Sequence, residues 1–534
     1  MFRLRELYRE FSLAQKRCLG LRLACAAIWT AELFWIQKIS FSTVPWIRYP
    51  LVVEGIRLLL DASFTIGLVL LLRKRWLIGV QALNLLLLSL LSAYLSHFHR
   101  PLMLSRLYYE LHEAWSLRGH FGEHLFLGTP FVLMVACAVK VALLLSSGEW
   151  PFRKGFRPRV AAVALLMYCL PVFALQFTHL RLTIHPLGGL GRNVFAYGYT
   201  LPWFCDLVAN RTLNEHSRKA ARLLNLHFDR ISPLEAPLEI PAGLLILQLE
   251  SVGGAAVDAQ WDNRRIMPFL HNLKAQSMAF RLLAFHYNGS CDMDYAATTF
   301  VKPYAGVVPY RLRGLKYTNA LPSFMRAHGF KSYVFHGNTA IFYDRGSVLE
   351  QLGFNGFFFK EQLEGRGLRS SMIGFRDDEV FRCVLDQIKA EKKSCVFAIT
   401  LDTHFPFKQL QPEEMEVFPQ PGNEAERYLN SLRYLDTCLH SLISQLPPNT
   451  TVLMYGDHTA SIISSQFRSD VVNGNEYVAC LIYQKGADLA SLQKTRDLPM
   501  AQDGSLNLLD IMSYLRLSIE KGEKNLALQP TAKN

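Results

Sequence analysis

The chain has 534 residues, half of them hydrophobic, and a formal net charge of +13 from 57 Lys and Arg against 44 Asp and Glu. That length exceeds one ordinary soluble domain, and the apolar share points to a part of the chain in lipid rather than to one large aqueous core. Much of the positive charge falls in short segments between apolar runs, with no basic stripe interleaved with aromatics downstream, which argues against nucleic acid and for a membrane surface.

In chain order, five runs are long enough to cross hydrocarbon as helices: Leu19 to Phe41, Tyr49 to Leu72, Trp76 to Phe98, His124 to Ser146 and Val160 to Leu180. The first is the weakest, because Glu32 lies inside it. The basic segments FRLRELYREFSLAQKR, RKRW and PFRKGFRPR alternate with these runs. The positive-inside rule puts them in the cytoplasm and everything after Leu180 outside, as in a multi-pass membrane protein. The first run lacks a small-residue cleavage site and is followed by further spans, so it reads as an anchor. Glu54, Arg57 and Asp61 share one face of the second helix, either lining a lipid-headgroup site or pairing between helices.

The expected units are a five-helix transmembrane domain at 1–180, a membrane-surface linker at 181–237, an extracytoplasmic domain at 238–520 and a disordered tail at 521–534. The linker contains the amphipathic SRKAARLLNLHFDR, which fits either a membrane surface or a packed helix. Of ten cysteines, Cys18, Cys25, Cys137 and Cys169 belong to the membrane part, and Cys205, Cys291, Cys383, Cys395, Cys438 and Cys480 lie beyond it. No C-x-x-C occurs, so neither a zinc knuckle nor a disulfide framework is signalled.

From about Leu238, short apolar runs alternate with helical periodicity, which predicts an α/β domain with a largely parallel sheet. GLLILQL is followed by Glu250, KSYVF by His336, CVFAITL by Asp402, Thr403 and His404, and TVLMY by Gly456, Asp457 and His458; YVACLIY is a fifth strand. DDEVFRCVLDQIKAEKK and NEAERYLNSLRYLDTCLHSLISQL show helical spacing between them. Open α/β sheets bind ligands outside the carboxyl ends of their strands, so four strands that each deliver an acid or a histidine there describe a constructed site.

Glu250, Asp457 and His458 are donors that suit a divalent cation such as Mn²⁺ or Zn²⁺, although singly a helix cap or a turn would use the same residues. In HYNGSCDMDY, at 286–295, a cation beside Ser290 would lower its hydroxyl pKa and activate it as a nucleophile. Cys291 is the rival, but Asp292 and Asp294 beside it would raise its pKa. In FHGNTAIFYDR, His336, Tyr343 and Arg345 have the chemistry to hold a phosphate and its attached group, Arg345 through its planar fork. His404, in DTHFPF, has the chemistry to carry a proton to or from an alcohol, and both histidines have a structural use as the alternative.

These motifs resemble those of the alkaline-phosphatase/sulfatase superfamily, and within it the lipoteichoic acid synthase and phosphoglycerol transferase group. The matching elements, in order, are QLES at 248–251, NGSCDMDY, FHGN with Tyr343 and Arg345, THFPF at 403–407 and YGDHT at 455–459. The resemblance implies a membrane-anchored enzyme with a sulfatase-like domain. One cation, Mn²⁺ first with Zn²⁺ and Mg²⁺ as alternatives, would be held by Glu250, Ser290, Asp457 and His458. Ser290 would attack the phosphodiester of a phospholipid donor and pass the phospho-group to an envelope glycan or glycolipid with the help of His404. His336 and Arg345 match residues that contact phosphoglycerol, and Tyr343 stands where the synthases usually carry tryptophan.

Two departures bear on the chemistry. Ser290 replaces the threonine nucleophile of the synthases, competent but freer without the β-methyl. The C-x-P-x-R of formylglycine sulfatases is absent at Cys291, which disfavours a sulfatase in the strict sense. Phosphoethanolamine transfer on the same scaffold, phosphodiester hydrolysis and an inactive envelope-binding module are the alternatives to phosphoglycerol transfer.

Overall fold

The computed structural model describes residues 12–42, 51–98, 129–147, 163, 165–170, 172–173, 243–303, 308–311, 317, 319–371, 373–460, 471–472, 475–487 and 505–528. The chain divides into two compact units, Met1–Asn214 and Glu215–Asn534.

The first unit contains helices α1 (Leu13–Ser42), α2 (Leu51–Leu71), α3 (Lys74–Phe98) and α4 (Thr129–Ser146). Two of them are long and apolar enough to cross a membrane by length and composition, over Leu13–Ile36 and Lys74–Ser92, while α4 is a shorter apolar helix. The expectation of five spans exceeds this. Most of Val160 to Leu180, and all of the linker at 181–237, lie outside the described residues.

Glu32, the charge inside α1, is buried but not alone. It accepts from Lys140 Nζ of α4 and, at 3.1 Å, from Asn84 Nδ2 of α3, whose Oδ1 accepts from Trp29 Nε1 at 2.8 Å. A charge that would weaken a lone span thus becomes a polar joint between three helices. Arg22 is also buried, and its NH1 donates to the carbonyls of Val69 and Leu72 at 2.9 and 3.0 Å, satisfying acceptors that the end of α2 leaves unpaired. Arg57 and Asp61 are buried within the same unit, with the Arg57 guanidinium 5.8 Å from the Phe34 ring centroid.

The second unit is an α/β domain. Its strands are β1 (Gly243–Leu249), β2 (Gln260–Trp261), β3 (Arg264–Arg265), β4 (Met278–Leu283), β5 (Lys331–His336), β6 (Gly356–Phe358), β7 (Ser394–Ile399), β8 (Thr450–Gly456), β9 (Val471–Val472), β10 (Asn475–Gln484) and β11 (Ser505–Asn507). Its helices are α5 (Pro268–Ala275), α6 (Cys291–Thr299), α7 (Leu321–Ala327), α8 (Arg345–Leu352), α9 (Lys360–Leu363), α10 (Asp377–Ala390), α11 (Glu424–Gln445) and α12 (Leu508–Leu528).

The main sheet runs β11-β4-β10-β8-β1-β7-β5-β6, with β9 on β10, and β2 pairs with β3 separately. The strands β8, β1, β7, β5 and β6 are mutually parallel, as the apolar runs predict. The sheet as a whole is mixed, however, because YVACLIY lies in β10, which runs antiparallel to both β8 and β4. The last helix also runs to Leu528, into the segment expected as a tail.

Leu245, Leu247 and Leu249 of the central strand join Val396, Ala398, Val452 and Met454 in a core with Val384 of α10 and Leu432, Leu435 and Leu439 of α11. The apolar side of each amphipathic helix is what packs there. Asn423 caps α11, its side chain accepting from the Glu426 N–H at 3.0 Å. All nine described cysteines are free thiols, and Cys291, Cys395, Cys438 and Cys480 are buried.

Register fixes the level of the site. Gln248 pairs with Ile399 on one side and Tyr455 on the other, and Ile399 also pairs with His336. The residues that leave these strands, Glu250, Thr400 and Asp457, therefore emerge side by side.

Candidate functional site

Glu250 is held by the turn after β7: its N–H donates to Thr400 Oγ1 at 2.9 Å, and Thr403 Oγ1 donates to its carbonyl at 2.6 Å. Next to it, Ser251 adopts φ 57°, donates its N–H to Asp457 Oδ1 at 2.7 Å and its hydroxyl to Glu250 Oε1 at 2.8 Å. The loops after β1 and β8 are thus stitched together. They approach so closely that a Cβ on Gly456 would lie 2.0 Å from the Val252 carbonyl oxygen, so only glycine fits.

Ser290 arrives from a different direction, at the start of α6. Asp292 folds that loop by accepting from the N–H groups of Tyr287 and Asn288, both at 2.7 Å, and from Asn288 Nδ2 at 2.9 Å. Gly289 has φ 128°, and Gln248 Nε2 donates to the Ser290 carbonyl at 3.3 Å. As a result Ser290 Oγ lies 3.3 Å from Glu250 Oε2 and 3.3 Å from His458 Nε2. Cys291, the rival nucleophile, is fully buried in α6.

His458 is oriented by its backbone neighbour. Its Nδ1 lies 2.9 Å from the Thr459 carbonyl, and because a carbonyl only accepts, Nδ1 carries the hydrogen. Nε2 then faces Glu250 Oε1 at 3.2 Å and Asp457 Oδ1 at 3.8 Å. Glu250, Asp457 and His458 place one donor atom each within 4.8 Å of one another, a spacing that one cation can bridge. Asp457 Oδ2 is buried and has no hydrogen-bond partner among the described residues. Burial, then the Glu250 charge, pushes the Asp457 carboxyl well up, whereas burial of Glu250 is outweighed by His458, which draws that carboxyl well down. Two buried acids and one imidazole sharing too little positive charge are what a divalent cation would complete.

Of the residues predicted to handle substrate, Arg345 and Tyr343 meet each other and the segment that carries Ser290. His336 ends β5, buried, with Nδ1 donating to the Ile399 carbonyl at 3.1 Å. Burial, then the Arg345 charge, pushes its pKa down to about 3, so the ring is neutral. Arg345 is buried and donates Nε to Asp294 of α6, while its guanidinium lies 5.1 Å from the Tyr343 ring centroid. Part of its fork is therefore committed to the helix that starts at Ser290. Tyr343, at φ 59°, brings its hydroxyl against the backbone of Gly289. His404 is partly buried, its Nδ1 2.6 Å from the Phe405 carbonyl.

One strand-end acid serves elsewhere. Asp402 turns away to accept from Arg376 Nε at 3.1 Å and from the Asp377 N–H at 2.8 Å, while Asp377 accepts from the N–H groups of Leu401 and Asp402 at 2.7 and 2.9 Å. Conversely, the structure brings in His286 and Glu476. The His286 ring stacks on His458 at 4.3 Å and 9°, and its Nδ1 bonds Glu476 Oε1 at 2.8 Å. Glu476 stands just before YVACLIY. An acid at the entry of a strand signals a site only if that strand is antiparallel, since only then does its entry meet the carboxyl ends of its neighbours.

Residues 243–490 match the sulfatase family. This domain is thus similar to the alkaline-phosphatase/sulfatase superfamily. The chain is similar to lipoteichoic acid synthases. It is 24% identical over 229 residues to a lipoteichoic acid synthase of Staphylococcus saprophyticus and 22% identical over 226 residues to lipoteichoic acid synthase 2 of Bacillus subtilis. Each match takes in 40% of this chain and 35% of the relative, so the chain spans about a third of the length of these curated relatives. The fold is similar along nearly the whole chain to the integral membrane protein lipooligosaccharide phosphoethanolamine transferase A of Neisseria meningitidis. That likeness has a TM-score of 0.58 at 12% identity, over 94% of this chain and 95% of the other.

Proposed function

We propose that this chain is a multi-pass protein of a bacterial-type plasma membrane whose outer domain moves glycerophosphate from a phospholipid to an envelope glycan or glycolipid through a covalent intermediate on Ser290. The observation that carries the reading is the position of Ser290 Oγ, 3.3 Å from both Glu250 Oε2 and His458 Nε2. The match of residues 243–490 to the sulfatase family supports the same reading.

Glu250, Asp457, His458 and Ser290 would hold one divalent cation, Mn²⁺ before Zn²⁺ or Mg²⁺, because most of the donors are hard oxygens. When bound, the cation lowers the pKa of the Ser290 hydroxyl and offsets negative charge at the phosphoryl oxygens. In the first half-reaction Ser290 Oγ gives up its proton to solvent and bonds phosphorus, while the lipid alcohol leaves with a proton from His404. In the second, His404 takes the proton of the acceptor hydroxyl as that oxygen bonds phosphorus, and Ser290 leaves and is reprotonated. His336, Tyr343 and Arg345 hold the transferred group. A neutral His336 offers Nε2 as an acceptor for a glycerol hydroxyl, and Arg345, pinned by Asp294, presents the remainder of its fork in a fixed direction.

The second reading is phosphoethanolamine transfer, favoured by the likeness of fold along 94% of the chain to a phosphoethanolamine transferase. The full chain in vesicles, given either headgroup-labelled phosphatidylglycerol or phosphatidylethanolamine with Mn²⁺, tells the two apart. We expect diacylglycerol release and labelled protein with the glycerol lipid, and neither with Ser290→Ala. Unchanged release by Ser290→Ala would end the proposed role of Ser290, and label from the ethanolamine lipid alone would select the second reading.

A further inference from the structure

The ring of His458 is fixed by contacts that converge on one side chain outside the cluster. Glu476 Oε2 accepts from both the N–H and the hydroxyl of Thr459, each at 2.9 Å. The Thr459 carbonyl in turn accepts from His458 Nδ1 at 2.9 Å. The other oxygen, Glu476 Oε1, bonds His286 Nδ1 at 2.8 Å, and the His286 ring lies parallel on His458 at 4.3 Å. Turning the imidazole over would exchange Nδ1 for a carbon, lose the Thr459 bond and take Nε2 away from Glu250 and Ser290.

We infer that Glu476 is a positioning residue for His458, setting through Thr459 which ring nitrogen faces Glu250 and Asp457, and through His286 covering one face of that ring. The inference rests on the reading that Glu250, Asp457 and His458 hold a cation. An imidazole ligand whose second nitrogen is hydrogen-bonded is fixed in tautomer and direction, so its donor atom is pre-placed rather than recruited. Here the partner is a carbonyl, and Glu476 holds the residue that carries it.

His286, His458 and Glu476 are also close enough to hold a cation themselves. Their donor atoms are already engaged, however: Oε2 by two donors of Thr459, Oε1 by His286, and Nδ1 of His458 by the Thr459 carbonyl. That saturation favours a supporting role over a second metal site.

The test is Mn²⁺ titration of the full chain in detergent by calorimetry, beside the melting temperature of the cation-free protein. Wild type should bind one Mn²⁺ per chain, and Glu476→Ala should bind it about 10- to 100-fold more weakly. Glu476→Gln keeps an oxygen for Thr459 and an amide for His286, and should restore most of the affinity, an outcome that simple loss of folding does not produce. Should Glu476→Ala not fold, His286→Ala carries the test and should weaken Mn²⁺ several-fold. Binding equal to wild type in Glu476→Ala, or in His286→Ala where that variant stands in, overturns the inference while leaving the cation site intact. Two Mn²⁺ per wild-type chain falling to one in Glu476→Ala also overturns it, in favour of a second metal site. No Mn²⁺ bound by wild type overturns both readings.

Discussion

The hydroxyl of Tyr343 occupies the space that a side chain on Gly289 would need: a Cβ there would lie 2.3 Å from Tyr343 Oη. Gly289 also has φ 128°, a conformation that side chains rarely adopt. Gly289→Ala should therefore cost about 1–3 kcal/mol of stability and lower turnover at least tenfold by shifting Ser290. Removing the nearest obstructing atom, as Tyr343→Phe does, should return part of the turnover in the double variant while the backbone strain persists. Melting temperatures and labelled-lipid turnover of the four proteins close the cycle. Strict additivity would show that Tyr343 and Gly289 do not meet.

The ion pair of Arg345 and Asp294 joins the substrate wall to the nucleophile helix, with both side chains almost wholly buried. Asp294→Ala would strand the guanidinium and should destabilise the domain by about 3–5 kcal/mol. Arg345→Lys keeps the charge but loses the planar fork, so it should retain the fold better than Asp294→Ala and still lose most transfer activity. Chemical denaturation and lipid turnover measure the two effects. An Arg345→Lys protein as active as wild type would remove the fork from the account of substrate binding.

How much of this was legible follows from the kind of contact. Glu250, His336, His404 and Asp457 each follow a continuous apolar run, and such runs mark buried parallel strands, so one local pattern placed four side chains at one edge. Asp294 meets Arg345 across 51 residues, and Glu32 meets Lys140 across 108, separations at which periodicity says nothing of partners. Glu476 was missed for a directional reason: the apolar run of β10 is visible, but its antiparallel sense is set by strand order. Asp402 shows the converse, an acid at the right strand end that the neighbouring N-terminus of α10 claims.

His336 links pH to stability. Burial, with Arg345 beside it, moves its pKa from 6.5 down to about 3, so the folded protein keeps the ring neutral while the unfolded chain protonates it below 6.5. The contribution of the neutral ring is complete above pH 6.5 and is lost as pH falls towards 3, at up to about 1.4 kcal/mol per pH unit. A bound cation would add positive charge nearby and act in the same direction. His336→Gln should therefore flatten the acid limb of the stability profile, read as denaturation midpoints between pH 4 and 7. Parallel profiles for the two proteins would show that other groups set the acid sensitivity.

In the helical unit, Glu32 and Lys140 test whether burial of charge fixes how α1, α3 and α4 pack. Lys140→Met would leave the Glu32 carboxylate with only Asn84 as a described donor and should lower stability by about 3–5 kcal/mol. Glu32→Gln alone leaves a buried ammonium and should cost a similar amount. The double variant replaces the pair with an amide and an apolar chain, and should recover most of the loss, because the penalty arises from stranding one charge rather than from losing their attraction. Thermal unfolding of the four proteins in detergent decides it. Single variants as stable as wild type would mean that water reaches the pair, and that the joint between these helices is apolar packing of Trp29, Leu33 and Leu88 instead.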